Sequence, residues 1–152
     1  MTMIIIGILA AVAIPRFFDT DVFRARGFAD EVQATLRYAQ KSAIAKHGYA
    51  CATITTNNIT LTMSTSNACG TTALDLPSGG NAVCGGTLVV ANVLNAPCNV
   101  IITPPSHATF YFDPLGRPID PVTTLPATAQ QSIAISGYAT PILVERDTGY
   151  VH

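Results

Sequence analysis

Four cysteines, Cys51, Cys69, Cys84 and Cys98, are the residues of this chain best placed to do covalent chemistry, and their spacing points to disulfides. No CxxC occurs, so neither a zinc ribbon nor a thioredoxin-type redox pair is expected. An even count at wide spacing in a Thr-rich, export-like chain reads as two bridges. Buried reduced thiols in a cytosolic protein are the competing reading. Three pairings are open. Cys51–Cys69 with Cys84–Cys98 is favoured, because neighbouring loops of this size close easily, each bridge adding roughly 3 kcal/mol in the chain-entropy picture. The three histidines form no metal constellation: His47 closes a helical pattern, His107 follows Ser106 in a loop, and His152 is the last residue. Ser106, His107 and Asp113 are close in sequence, but a triad is defined by geometry and not by proximity along the chain. HExxH, GxSxG, Walker and GxGxxG patterns are absent. Gly79-Gly80 and Gly85-Gly86 lack a phosphate-binding context. Asn58-Ile59-Thr60 matches a glycosylation sequon, and a hairpin turn explains it equally well. These residues predict no catalytic, cofactor or metal site, and a structural protein in place of an enzyme.

The composition fits that reading. The chain has 152 residues, enough for one compact domain with an extension. Hydrophobic residues make up 49% and mean hydropathy is +0.38. Charged residues are only 11%, against roughly 25% in an ordinary globular domain. The net charge of −1 is unevenly spread. Arg16, Arg24, Arg26, Arg37, Lys41 and Lys46 lie before Gly48, while only Arg117 and Arg146 follow it, beside five acidic residues. The later part therefore lacks the clustered cations that nucleic acid binding requires.

These residues must be held by larger elements. Met1 to Ile14 carry no charge, and Pro15-Arg16 follow. The run is shorter than the roughly 20 residues of a membrane-crossing helix. It reads as a buried core helix, as a signal peptide cut after Ala13, or as a membrane helix whose beginning lies upstream. The third is preferred, because no basic region precedes the run and helical spacing continues beyond it. Ala25, Phe28, Ala29, Val32, Leu36, Ala39 and Ala43 recur at helical steps, with charged and amide residues between them. Arg26 and Asp30 are placed to pair at i, i+4. Pro15 should loosen the helix locally. Gly48 is suited to the left-handed position that ends it. Residues 1–15 form one half of a long helix, 16–48 its amphipathic half, and 49–152 a head domain.

After Gly48 the period falls from 3.6 to 2. Ile59, Leu61 and Met63 alternate with Thr60, Thr62 and Ser64, a half-buried strand. Tyr49 to Thr55 is its partner, through a turn at Asn57-Asn58 that tolerates positive φ. Asn67 to Pro97 reads as loop with one short strand near Thr87–Val90. Strands are expected at Asn99–Thr103 and Ala108–Phe112, with Pro104-Pro105 between them. Asp113 to Gly116 is a turn and Gly116 to Gln131 a loop. Ser132–Ser136 and Ile142–Glu145 form a last hairpin through Gly137. The fold class is α+β: a long N-terminal helix on an antiparallel sheet. The helix stripe Phe28, Val32, Leu36 and Ala39 should pack on Ile54, Leu61, Ile133, Ile135 and Leu143.

The segment Ile6-Gly7-Ile8-Leu9-Ala10-Ala11-Val12-Ala13-Ile14-Pro15 resembles the second half of the N-terminal segment of type IV pilins and pseudopilins. Phe28 to Ala45 is similar to the helix of the minor-pilin group that includes FimT-like and secretion-system H-type subunits. Phe110 to Pro118 and Thr148 to His152 also resemble that group, especially pilins of the mannose-sensitive haemagglutinin type. The resemblance implies a leader cut by a prepilin peptidase and a methylated first residue, both upstream of Met1. It implies that Ile4, Ile5, Ile6, Gly7, Ile8, Leu9, Val12, Ile14 and Pro15 form a membrane and fibre-core helix half. The subunit would sit in the inner membrane by a single pass. It would then enter an extracellular pilus or a periplasmic pseudopilus with its own copies or other pilins, through the assembly machinery. No cofactor is implied. A type II secretion pseudopilin is the nearest alternative, and a DNA-binding minor pilin or an exported binding domain is further away.

Overall fold

The computed structural model of the protein describes residues 20–152. One helix, α1 (Thr20–Ala45), packs on antiparallel sheets, so the chain is α+β as its periodicities predict. Residues 1–19 lie outside the described part, and with them Ile4, Ile5, Ile6, Gly7, Ile8, Leu9, Val12, Ile14 and Pro15.

The helix forms because its apolar positions line one face. Phe28, Val32, Leu36 and Ala39 are all buried, none more than 2% exposed. Small residues at Ala25, Ala29 and Ala43 continue the stripe. They face equally small ones, Ala50 and Ala52, on the first strand, so helix and sheet approach closely. The first-turn ion pair is Arg24–Asp21 at 3.5 Å, and not the expected Arg26–Asp30. Arg26 and Asp30 instead border a shallow depression with Gly137, Tyr138 and Thr140.

The helix ends in a Schellman motif. Gly48 N–H donates to Ala43 O at 3.0 Å, and His47 N–H to Ile44 O at 3.3 Å. His47 is the left-handed residue, with φ 48°, and this corrects the expectation placed on Gly48. Gly48 is needed for a different reason: a Cβ there would stand 2.9 Å from the Ser64 carbonyl oxygen. We therefore expect opposite effects from the two neighbours. His47→Gly should stabilise by roughly 0.5 kcal/mol, since relief of left-handed strain slightly exceeds the entropy cost of glycine. Gly48→Val should lower the melting temperature. Equal melting curves for Gly48→Val and the parent would contradict this close approach.

Nine strands follow. The larger sheet contains β1 (Tyr49–Ile54), β2 (Asn58–Ser64), β3 (Thr72–Ala73), β4 (Val93–Asn95), β6 (Thr109–Phe112) and β7 (Pro118–Ile119). Its order is β3-β2-β1-β6-β7, with β4 also paired to β2. The smaller sheet has β5 (Ile102–Thr103), β8 (Gln131–Ile135) and β9 (Ile142–Val144), in the order β5-β8-β9. The β1–β2 register pairs Ile54 with Ile59 and Ala50 with Met63. Neither Asn57 nor Asn58 takes positive φ in their turn. Thr55 builds it instead, its hydroxyl accepting from Asn58 N–H at 2.9 Å and its N–H donating to Asn58 O.

Several strands depart from the sequence reading. The strand expected at Thr87–Val90 is only a single bridge, Ala82 to Val89. The paired segment is Val93–Asn95, where Asn81 supplies sheet-like bonds to Asn95 from its side chain. The strand expected at Asn99–Thr103 shortens to Ile102–Thr103, and β7 appears inside the expected loop. In β9, Ile142 and Val144 enter the core and Leu143 faces away, so the expected contribution of Leu143 is off by one residue. Ile54, Leu61, Ile133 and Ile135 do join the helix stripe in one buried core.

Alternation in β6 divides its aromatics. Phe110 and Phe112 join the helix-side core, 5.5 Å apart edge to face. Tyr111 faces the other side with Cys51, Ile119 and Tyr49.

Candidate functional site

The four cysteines form the two favoured bridges, Cys51–Cys69 and Cys84–Cys98. Cys51 lies on the sheet face turned away from the helix. Its bond draws the segment after β2 across that face, where the Tyr111 hydroxyl donates to Asn67 Oδ1 at 2.7 Å. Burial pushes the Tyr111 phenol up, and Tyr49 and Asp120 add to the rise. Cys84–Cys98 closes a second excursion, the hairpin-like loop between β3 and β5.

Ser106, His107 and Asp113 do not come together as a triad. Asp113 is held by Arg117, whose Nε and Nη2 donate to Oδ2 at 3.0 and 2.8 Å. Its other oxygen accepts from Leu115 N–H and Arg117 N–H, fixing the Asp113–Gly116 turn. The carboxylate beside His107 is Asp120, with Nδ1 to Oδ1 at 3.3 Å. The antiparallel return of β7 along β6 brings them together, which spacing along the chain does not reveal. Ser106, His107, Asp120 and Gln131 border a small pocket of about 130 Å³. Gln131 Nε2 donates to Ala129 O, leaving Oε1 buried without a partner. His152 meets Glu145 at 3.0 Å and stacks on Tyr150. His47 is exposed at the helix end. Among the described residues no group of three or more His, Cys, Asp or Glu side chains gathers to hold a metal.

Two polar helix residues that the sequence reading passed over do the joining. Arg37 donates from Nε and Nη2 to Val151 O at 3.0 and 2.9 Å. Gln40 Nε2 donates to both Gly116 O and Thr148 O at 2.9 Å. These side chains flank the buried stripe, and they clasp the two segments, Phe110–Pro118 and Thr148–His152, to the helix. Glu31 sits half-buried on the same helix, and burial pushes its carboxyl up.

The remaining surface is unusual in charge. From Gly48 to Phe112 the sole charged residue is Asp75. Within that stretch Val83, Leu88, Val89, Val90 and Ile101 are all exposed, Leu88 by 70%. An open cleft of about 470 Å³ joins Val83 and Cys84 to Asn57, Asn99 and Ile101. No helix among the described residues is long and apolar enough to cross a membrane. The chain matches no known protein family, no curated protein and no solved structure.

Proposed function

We propose that this chain is a structural subunit of a type IV pilus or pilus-like fibre, and that it performs no catalysis. The observation that carries the reading is a division of labour along its N-terminal third. The stripe Phe28, Val32, Leu36 and Ala39 is used by the chain's own head, covered by β1, β2 and β6. The uncharged run Met1 to Ile14 lies five residues before that packed helix, and an apolar run of this kind needs lipid or other helices around it. In the proposed cycle it holds the subunit in the inner membrane, then packs against the same segment of other subunits while the head stays outside. Ile4, Ile5, Ile6, Ile8, Leu9, Val12 and Ile14 exchange lipid for neighbouring helices. In this cycle a prepilin peptidase processes the subunit before assembly. Two disulfides suit a head that matures in an oxidising compartment.

The test is immunogold electron microscopy with antibodies to residues 49–152 on fibres sheared from cells carrying the gene. Label along or at the tip of fibres, lost on deletion of the gene, is the expected result. A protein found only in the aqueous extracellular fraction, with Ile14 as its first residue, would replace this reading with an exported binding domain.

A further inference from the structure

We infer that the head carries a second membrane contact: the aliphatic surface formed by Val83, Leu88, Val89, Val90 and Ile101 lies against the bilayer that the N-terminal segment enters. This rests on the membrane-anchor reading above. Its first support is position. A Cβ built at Gly137 would stand 3.2 Å from that of Ala25, near the start of α1. Ser136, beside it, exchanges hydrogen bonds with Ile101: Ile101 N–H donates to Ser136 Oγ at 2.8 Å, and Ser136 N–H to Ile101 O at 2.9 Å. Ile101 shares its cleft with Val83, and the Ala82–Val89 bridge attaches Val89 to the same loop. Val83, Val89 and Ile101 therefore sit at the end of the head where the helix begins, and Leu88 adjoins Val89 in the chain. The opposite end is marked by Gly48 against Ser64 and Gly116 against Ile44.

The second support is reach. Only Arg16 to Asp19 separate Pro15 from the helix start at Thr20. Even fully extended, that link spans roughly 17 Å, and the helix from Thr20 to Ala25 adds about 8 Å. A head so tethered holds this end within about 25 Å of the bilayer. The third is chemistry. Aliphatic side chains enter the interfacial layer favourably, and none of these five carries a charge whose hydration would be lost. Arg24 and Arg26, exposed in the first turns of α1, are offset there by Asp21 and Asp30, so the contact rests on the aliphatic side chains and not on charge. The Cys84–Cys98 bond ties the ends of the loop, which reduces the ordering that contact requires.

The test uses the full chain with Leu88→Trp, in vesicles of phosphatidylethanolamine and phosphatidylglycerol with brominated acyl chains. The native sequence has no tryptophan, so the signal is unique. Leu115→Trp is the control, since Leu115 is exposed at the opposite end, beside Gly116. Bromine near the headgroup should quench the Leu88→Trp emission, as expected for a side chain seated about 5–10 Å into the interface. Leu115→Trp emission should stay unchanged. A blue shift of the Leu88→Trp emission without bromine quenching would mean that another copy of the chain covers the surface, and would overturn the lipid contact. Equal, unshifted emission from both variants in vesicle-bound protein would overturn it while leaving the anchor intact. Protein that does not float with the vesicles would remove the anchor reading and this contact together.

Discussion

Gly149→Ala should cost roughly 3–5 kcal/mol, from left-handed backbone strain together with an overlap that the backbone has no room to relieve. Gly149 has φ 67°, and its N–H donates to Glu145 O at 2.8 Å. A methyl group there would overlap the Gly116 carbonyl oxygen and stand 2.8 Å from Gln40 Nε2. That oxygen is the one Gln40 holds, so a single methyl disturbs both the turn and the clasp between helix and head. Gly116→Ala makes the informative comparison. Its φ is 83°, but its nearest obstacle is the Ile44 Cδ1 methyl at 2.8 Å, the end of a partly exposed side chain. That methyl can move, so the loss should be nearer 1–2 kcal/mol, mostly strain. Urea unfolding followed by circular dichroism reads both. Equal midpoints for the two variants would mean that Gly116 O can withdraw from Gly149, and would dissolve the clasp as an element of stability.

Phe28→Ala should remove about 3–5 kcal/mol through lost transfer energy and a residual cavity. Phe28 is 2% exposed and lies in the core among helix and sheet residues. That loss is a large part of the 5–15 kcal/mol that holds a typical domain folded. Phe23, five residues earlier, is 74% exposed. Phe23→Ala should stay within about 0.5 kcal/mol of the parent. The midpoint of denaturant unfolding should fall for Phe28→Ala with its slope unchanged. A Phe28→Ala midpoint equal to the parent's would show that the stripe does not anchor the helix on the sheet.

The parts of this fold that were legible in the sequence are those with an uninterrupted period. The stripe from Ala25 to Ala43 repeats at helical steps for five turns, and Ile59, Leu61 and Met63 alternate with polar residues. In both cases one solvent-excluded face leaves a pattern in the residue types. Ile142-Leu143-Val144 has no polar residue to show which of them turn inward, so its facing was not legible. Strands β3, β4 and β7 are two or three residues long, too short for any period. Part of their pairing comes from side chains such as Asn81, which composition marks only as turn-forming. Spacing left three disulfide pairings open, and the one favoured on loop length is the one formed. The partner of His107 was not legible, since the hairpin of β6 and β7 decides which carboxylate returns to it. Asp113 was taken by Arg117, four residues away. Arg37 and Gln40 resembled ordinary solvated positions, because a donor to a distant carbonyl leaves no trace in local spacing.

The two cystine links neither nest nor cross: the first is closed, at Cys69, before Cys84 begins the second. A chain delivered N-terminus first to an oxidising compartment therefore presents each thiol pair complete before the next arrives. An oxidase joining cysteines in order of appearance forms the native pairs directly, with no isomerase step to rearrange wrong ones. Maturation of the head would then depend on the supply of oxidant and not on the reshuffling of mispaired intermediates.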